Sequence, residues 1–356
     1  MVVATHSAFG TGKLTHGYLG LMYARLEVGV PIFFALSGFL LFAPWVRAAA
    51  TGSAPPRVGP YARRRIRRVL PAYTATVFLA YLVFHFYTAG PNPGQTWMGL
   101  FRHLTLTQIY TDNYLLTFAH QGLTQMWSLA VEVAFYAALP ALAFLLLVVL
   151  CRRRWRPALL LCGLGALAAV TAIWLIVTHS TEWLPNSAGT WLPAHLVHFA
   201  GGMALAVLQA IGVRCRATVA LPLAVLAYLV VSTPVAGDVS FAPVALTVPL
   251  SKTFFYAAIA TLVVAPLVLG DRGWYSRLLG SRGLVWLGEI SYEVFLLHVT
   301  LMAVAMGLVL RWPLFTGSLS GLFTTTLALT IPLAVLLRRV THRPAPVAGS
   351  TRRDGR

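Results

Sequence analysis

The sequence predicts an all-α, polytopic membrane protein of about ten transmembrane helices, and three observations carry that prediction. Hydrophobic residues make up 58% of the chain and charged residues 10%, far below the roughly 25% charged residues of a soluble domain. Apolar runs of about 20 residues recur from end to end, each long enough to cross roughly 30 Å of hydrocarbon. The basic residues gather between alternate runs. A closed β-barrel is the other way to satisfy a backbone in lipid, but it would show alternating segments of about 10 residues, and none is visible.

Taken in order, the chain opens on an apolar stub, residues 1–9, that is too short to span and carries His6. It has no basic n-region or small-residue cleavage site, so it does not read as a signal peptide. Residues 10–27 read as a polar loop. The next span, about residues 28–46, ends on Pro44-Trp45, an aromatic anchor for the interface. A Gly/Ser/Pro loop then leads into Tyr61-Ala62-Arg63-Arg64-Arg65-Ile66-Arg67-Arg68-Val69-Leu70-Pro71, a basic run suited to anionic lipid or a polyphosphate. A span at about 72–89 precedes a long outer stretch, 90–124, whose portion 97–110 is amphipathic and suits the interface. Further spans are expected at about 126–150, 157–178, 193–211, 218–234, 252–270, 284–310 and 319–337. Counting the incomplete first one, that makes ten. Residues 1–337 form one membrane domain, and 338–356 read as a basic, disordered cytoplasmic tail.

The formal charge of +18 would suggest nucleic acid in a soluble protein. Here the basic clusters 47–68, 152–156, 214–216, 272–282 and 338–356 fall on one side once the spans alternate. That is the positive-inside pattern, and it places both termini in the cytoplasm. Cys151, Cys162 and Cys215 lie in spans or beside inner clusters, so no structural disulfide is expected.

Few residues can carry chemistry. His6 titrates near neutrality and can take a proton from a hydroxyl and return it; the alternative is an interfacial histidine bonded to a loop. Glu132 lies inside the fourth span, where a carboxylate costs roughly 2.5–3.5 kcal/mol and must find a partner. Ser128, Glu132 and Tyr136 share its helix face, and a buried structural hydrogen bond explains them as well as a reactive site does. Glu289, Glu293 and His298 follow in the ninth span, where the five-residue separation of Glu293 and His298 argues against a direct pair. His195 and His198, at i and i+3, have metal-ligand spacing but no third ligand, so no metal is expected. HExxH, Walker, GxSxG and CxxC motifs are absent, which removes the commonest hydrolase, nucleotidase and redox readings.

These blocks, in order, resemble the acyltransferase-3 family of integral-membrane O-acyltransferases. The matching pieces are His6, Gly29-Val30-Pro31-Ile32-Phe33-Phe34-Ala35-Leu36-Ser37-Gly38-Phe39-Leu40, and Arg65-Ile66-Arg67-Arg68-Val69-Leu70-Pro71. Trp127-Ser128-Leu129-Ala130-Val131-Glu132 through Tyr136, Phe199-Ala200-Gly201-Gly202-Met203, and Leu287-Gly288-Glu289-Ile290-Ser291-Tyr292 to His298 complete the set. The resemblance implies ten helices in a bacterial plasma membrane, and transfer of an acyl group, acetyl by default, from cytoplasmic acyl-coenzyme A as co-substrate. The acceptor is a hydroxyl of a carbohydrate such as a polysaccharide, a glycolipid or a secondary metabolite, and no cofactor is bound.

The resemblance also makes His6 the essential base, with Glu132 orienting the imidazole or the acceptor. Arg65 and Arg68 become the coenzyme A-binding pair, and Ser37, Trp127, Ser128, Tyr136 and His298 contact substrate. His103, Asp112, Asn113 and His120 of the outer stretch are expected to set acceptor choice. Two departures stand out. The family places a basic residue eleven positions before the histidine, which here precedes Met1; a start codon assigned too late, a truncated chain or loss of the motif would each account for it, and the intact remaining motifs favour the first. Glu289 and Glu293 are not expected at their positions. The competing readings are a transporter or flippase of an acylated or lipid-linked metabolite, and a non-catalytic membrane subunit. The scarcity of intramembrane charges and the lack of paired broken helices weigh against transport.

Overall fold

A computed structural model describes residues 1–87, 90–239 and 245–341, and these are all-helical, with no strand among them. The helices are α1 (Val2–Gly10), α2 (Gly17–Arg25), α3 (Gly29–Thr51), α4 (Val58–Phe86), α5 (Trp97–Leu104), α6 (Tyr114–Thr117) and α7 (Trp127–Ala143). They continue with α8 (Pro157–Ser180), α9 (Leu192–Ala210), α10 (Ala217–Val231), α11 (Thr247–Val268), α12 (Trp274–Leu279), α13 (Arg282–Val304) and α14 (Leu319–Thr341). Every expected span contains a helix, but among the described residues eight helical runs are long and apolar enough to cross a bilayer. The two that fall short are α1, with 9 residues, and α10, with 15. The expected tail at 338–356 begins inside α14, and its residues 342–356 lie outside the described ones.

The expected loop 10–27 is a correction. It folds as α2 and a 3₁₀ turn, Leu26–Val28, that runs straight into α3. Arg25, which reads in the sequence as a solvent-seeking charge, is 4% exposed. Its guanidinium donates to the carbonyls of Val231 at 3.0 Å, Ala236 at 2.9 Å and Gly237. These are carbonyls at and just beyond the C-terminus of α10, where a helix has unsatisfied acceptors and a cation is favoured. Tyr228 of α10 returns a hydrogen bond to the Met22 carbonyl at 2.5 Å. A charge within the expected polar loop therefore docks α2 onto the end of α10.

The centre of the bundle is the crossing of α3 and α9. A Cβ on Gly202 would overlap the Ala35 carbonyl, and one on Gly38 would overlap the Phe199 carbonyl. The two glycine-containing motifs thus face each other, and small residues let the backbones meet where lipid supplies no hydrophobic drive. Phe199 then stacks between Phe34, at 4.6 Å between centroids, and Phe135, at 3.9 Å, which joins α7 to the crossing.

Side-chain contacts tie parts of the basic clusters together in two groups. Arg338 pairs with Glu289 at 3.2 Å, and Tyr292 donates to the Val69 carbonyl at 3.0 Å. Gln209 of α9 reaches the Val268 carbonyl at 2.7 Å. The stretch 90–124 forms a folded cap. Its α5 is amphipathic as expected: Trp97, Met98 and Phe101 are exposed, while Gly99 and His103 are buried.

The cap is held by histidines that are fully buried and neutral. His103 donates from Nδ1 to the Gly99 carbonyl at 2.8 Å. His120 accepts from the Gly122 N–H at 3.1 Å and donates from Nε2 to Gln95 Oε1 at 2.6 Å. Burial lowers His103 to about 4; burial, with some repulsion from His103, lowers His120 to about 3. A group with a depressed histidine pKa contributes stability that is present above the unfolded value near 6.5 and lost as pH falls toward the folded value. Each should cost up to about 1.4 kcal/mol per pH unit across that window. Thermal unfolding should therefore shift down by several degrees between pH 7 and pH 5, and His120→Gln should flatten the dependence; a pH-independent midpoint would show that these histidines do not hold the cap.

Candidate active site

The sequence puts an ionisable residue on the short first helix, and the structure gives that residue one strong partner. His6 Nδ1 lies 2.9 Å from His298 Nε2 of α13, with the rings nearly parallel at 8° and 5.1 Å between centroids. His298 is fully buried, and its Nδ1 faces the carbonyls of Phe295 at 2.7 Å and Val294 at 3.3 Å. Carbonyls only accept, so His298 carries its proton on Nδ1 and its Nε2 is a lone pair. His6 must then donate from Nδ1, which leaves His6 Nε2 unprotonated. The hydrogen-bond partners fix both tautomers.

His6 lines a cavity of about 810 Å³, within the range of small-molecule sites. Its walls come from α1, the starts of α3, α7, α9 and α11, and the connection after α8. Trp127 lines it and packs against the His195 ring at 5.2 Å. Opposite lies a charged cluster: Lys252 pairs with Glu27 Oε1 at 2.5 Å, and the Tyr256 hydroxyl donates to the same oxygen at 2.9 Å. Glu27 is close enough to His6 to act on its charge. An imidazolium formed at His6 would thus meet the His298 lone pair directly and feel the Glu27 carboxylate at longer range.

The remaining expected residues divide between this cavity and a second polar cluster. Glu132 is 1% exposed and accepts from Ser37 Oγ at 2.8 Å and from the Tyr136 hydroxyl. None of Glu132, Ser37 and Tyr136 lines the cavity, and the residue that orients the His6 imidazole is His298, not Glu132. His298 touches His6 rather than the cavity. Ser128 turns back to the Gln125 carbonyl at 3.0 Å, so the helix face shared with Glu132 does not make a shared hydrogen bond. Glu293 is buried on α13.

Arg65 and Arg68 sit near the start of α4, close enough to act on the Glu132 charge. Arg68 is exposed, and Arg65 Nε is buried without a hydrogen-bond partner. The Glu132 cluster therefore lies on the side of the bundle that leads from the arginines inward.

The expected acceptor residues of the outer stretch do not reach the cavity. His103 and His120 are spent within the cap, Asn113 caps α6 through Leu116, and the Asp112 carbonyl accepts from the Ser187 N–H at 3.3 Å. The outer wall is instead the α8–α9 connection, including Glu182 and Asn186. No cluster of three metal-ligating side chains occurs among the described residues. All three cysteines are free.

Sequence reasoning missed Glu27, Lys252 and Tyr256. The available signal was the rarity of lysine, since only Lys13 and Lys252 occur, and one of them opens an apolar span. A lone lysine there demands an acidic partner, and Glu27 is the acidic residue at the start of the facing span.

Comparison with known proteins places these features in a family. No curated protein and no solved structure matches the chain. The acyltransferase-domain family matches it over residues 1–339, which covers α1–α13 and all of α14 but its last two residues. The chain belongs to the acyltransferase-3 family and is an O-acyltransferase built into a multi-pass helical membrane domain.

Proposed function

We propose that this enzyme moves an acyl group, acetyl by default, from acyl-coenzyme A to a hydroxyl bound in the 810 Å³ cavity, with His6 Nε2 as general base. The observation that carries this reading is the His6–His298 hydrogen bond, which leaves a basic nitrogen on a residue lining the cavity. The acceptor O–H gives its proton to His6 Nε2 as its oxygen attacks the thioester carbonyl. The C–S bond then breaks, and the coenzyme A thiolate takes the proton back from His6. The products are the ester and free coenzyme A, and the histidine ends as it began.

The positive charge that forms on His6 is shared through its Nδ1–H with His298, as in other oriented general bases. Arg65 and Arg68 hold the phosphates of coenzyme A, for which guanidinium groups are suited, and the buried, unpartnered Arg65 Nε supports that assignment. Glu132, hydrogen-bonded by Ser37 and Tyr136, lines the approach of the thioester from the arginine end. By the positive-inside rule that end faces the cytoplasm of a bacterial plasma membrane, and the cavity faces out, toward carbohydrate, glycolipid or secreted-metabolite acceptors.

The test is an acyl-transfer assay on purified protein in lipid nanodiscs with radiolabelled acetyl-coenzyme A. The reading predicts coenzyme A release equal in amount to the label appearing on the acceptor. Acceptor moving across proteoliposome membranes with no coenzyme A consumed would contradict it and restore the transporter reading.

A further inference from the structure

The cavity also restricts the charge of its occupant. Among the described residues that line it, the carboxylates are Glu27 and Glu182 and the only ammonium is Lys252. Lys252 is not free to receive a ligand, because Glu27 holds it at 2.5 Å. Glu182 is exposed on the wall after α8. With Glu27 and Lys252 cancelling each other, the unpaired charge on the wall is the Glu182 carboxylate, so an anionic ligand would meet repulsion and no unpaired ammonium, and unpaired like charges are how sites reject partners.

The hydrogen-bonding groups agree. Gln125 is 3% exposed and lines the cavity. Its Nε2 donates to the Leu296 carbonyl at 2.8 Å, which fixes the amide orientation and makes the buried, unpartnered atom the Oε1 acceptor. A buried acceptor left unpaired costs about 1–3 kcal/mol, so it points to a ligand that brings a donor. His198 is 3% exposed, and its Nδ1, like Nε2 of His195, is buried without a partner on the same wall. Beside them Trp127 offers an aromatic face, and Phe34, Val30 and Pro31 an apolar one.

We infer that the acceptor is a donor-rich hydroxyl compound with an apolar face and no anionic group, a neutral or amine-bearing glycoside, and that Glu27 enforces this by occupying Lys252. The role of the site as an acceptor site rests on the acyl-transfer reading; the charge selectivity rests on the cavity alone. Removing the Glu27 charge should release the Lys252 ammonium into the cavity and convert a site that rejects acids into one that accepts them.

The experiment measures binding of p-nitrophenyl β-glucoside, its 2-amino analogue and its glucuronide to the protein in nanodiscs by saturation-transfer NMR. The glucoside and the amino-glucoside should bind, with the glucuronide at least tenfold weaker. Glu27→Gln should narrow that gap about tenfold, while Lys252→Met should keep the glucuronide excluded. Each comparison is a ratio within one preparation, so partial unfolding of a variant does not bias it. A glucuronide that binds the wild type as tightly as the glucoside would overturn the inference. So would a gap that survives Glu27→Gln in protein shown folded by thermal unfolding, or failure of all three probes to bind. Coenzyme A release from acetyl-coenzyme A, measured alongside, separates the two claims: the expected binding order without release contradicts acyl transfer only, and release with the reverse order contradicts the charge selectivity only.

Discussion

His6→Ala should lower kcat for acyl transfer by about 10²–10⁴-fold, the contribution of a positioned general base. The effect should fall on kcat rather than on the KM for acyl-coenzyme A, because the arginines assigned to the donor lie near the start of α4. The fold should survive, since His6 is only half-buried and its one side-chain partner is another side chain. His298→Ala should reproduce most of this loss although His298 does not line the cavity, because it removes the acceptor that fixes the His6 tautomer. The double variant should then be little worse than His6→Ala alone, as expected of residues that act as one unit. Steady-state coenzyme A release by the three variants checks all of this together. Losses that multiply would show that His298 acts independently of His6.

Gly202→Leu should prevent assembly of the bundle. The added Cβ would collide with the Ala35 backbone carbonyl, which has no flexible end that can give way. Overpacking of this kind costs up to about 3 kcal/mol, a large fraction of a marginal stability of about 5–15 kcal/mol. The collision also forces apart the contact between Gly38 and Phe199, and with it the Phe34–Phe199–Phe135 stack. Gly165 on α8, which has nothing near its missing Cβ, is the control: Gly165→Ala should be neutral or stabilising by up to about 1 kcal/mol through helix propensity. Size-exclusion profiles and thermal midpoints in detergent distinguish the two. A monodisperse, native-like Gly202→Leu would mean that the α3–α9 crossing is not close-packed.

The helical architecture was legible because its signal is long and local. Runs of about 20 apolar residues need no tertiary partner to be recognised, whereas the close approach of the motifs around Gly38 and Gly202 emerged only from the crossing of the helices. The segment 10–27 was misread for the opposite reason. Its helix depends on Arg25 finding carbonyls more than 200 positions away in sequence, and no window of residues contains that information. The site divides in the same way. His6 stood out by itself, and Glu132 attracted attention as an intramembrane carboxylate. Which residue touches His6 is a matter of three-dimensional packing between α1 and α13, so the hydrogen bond to the imidazole comes from His298 and not from Glu132. Glu27 and Lys252 are also far apart in the chain, and each alone resembles an interfacial charge.

The structure gives the protonation of the His6–His298 pair a specific form, and ¹⁵N NMR of histidine-labelled protein in nanodiscs near pH 8 reads it directly. His6 should carry its proton on Nδ1 and none on Nε2, with His298 likewise protonated on Nδ1, and in His298→Ala the His6 signal should become a mixture of tautomers. A wild-type His6 protonated on Nε2 would leave no lone pair to receive the acceptor's proton and would contradict its role as the base.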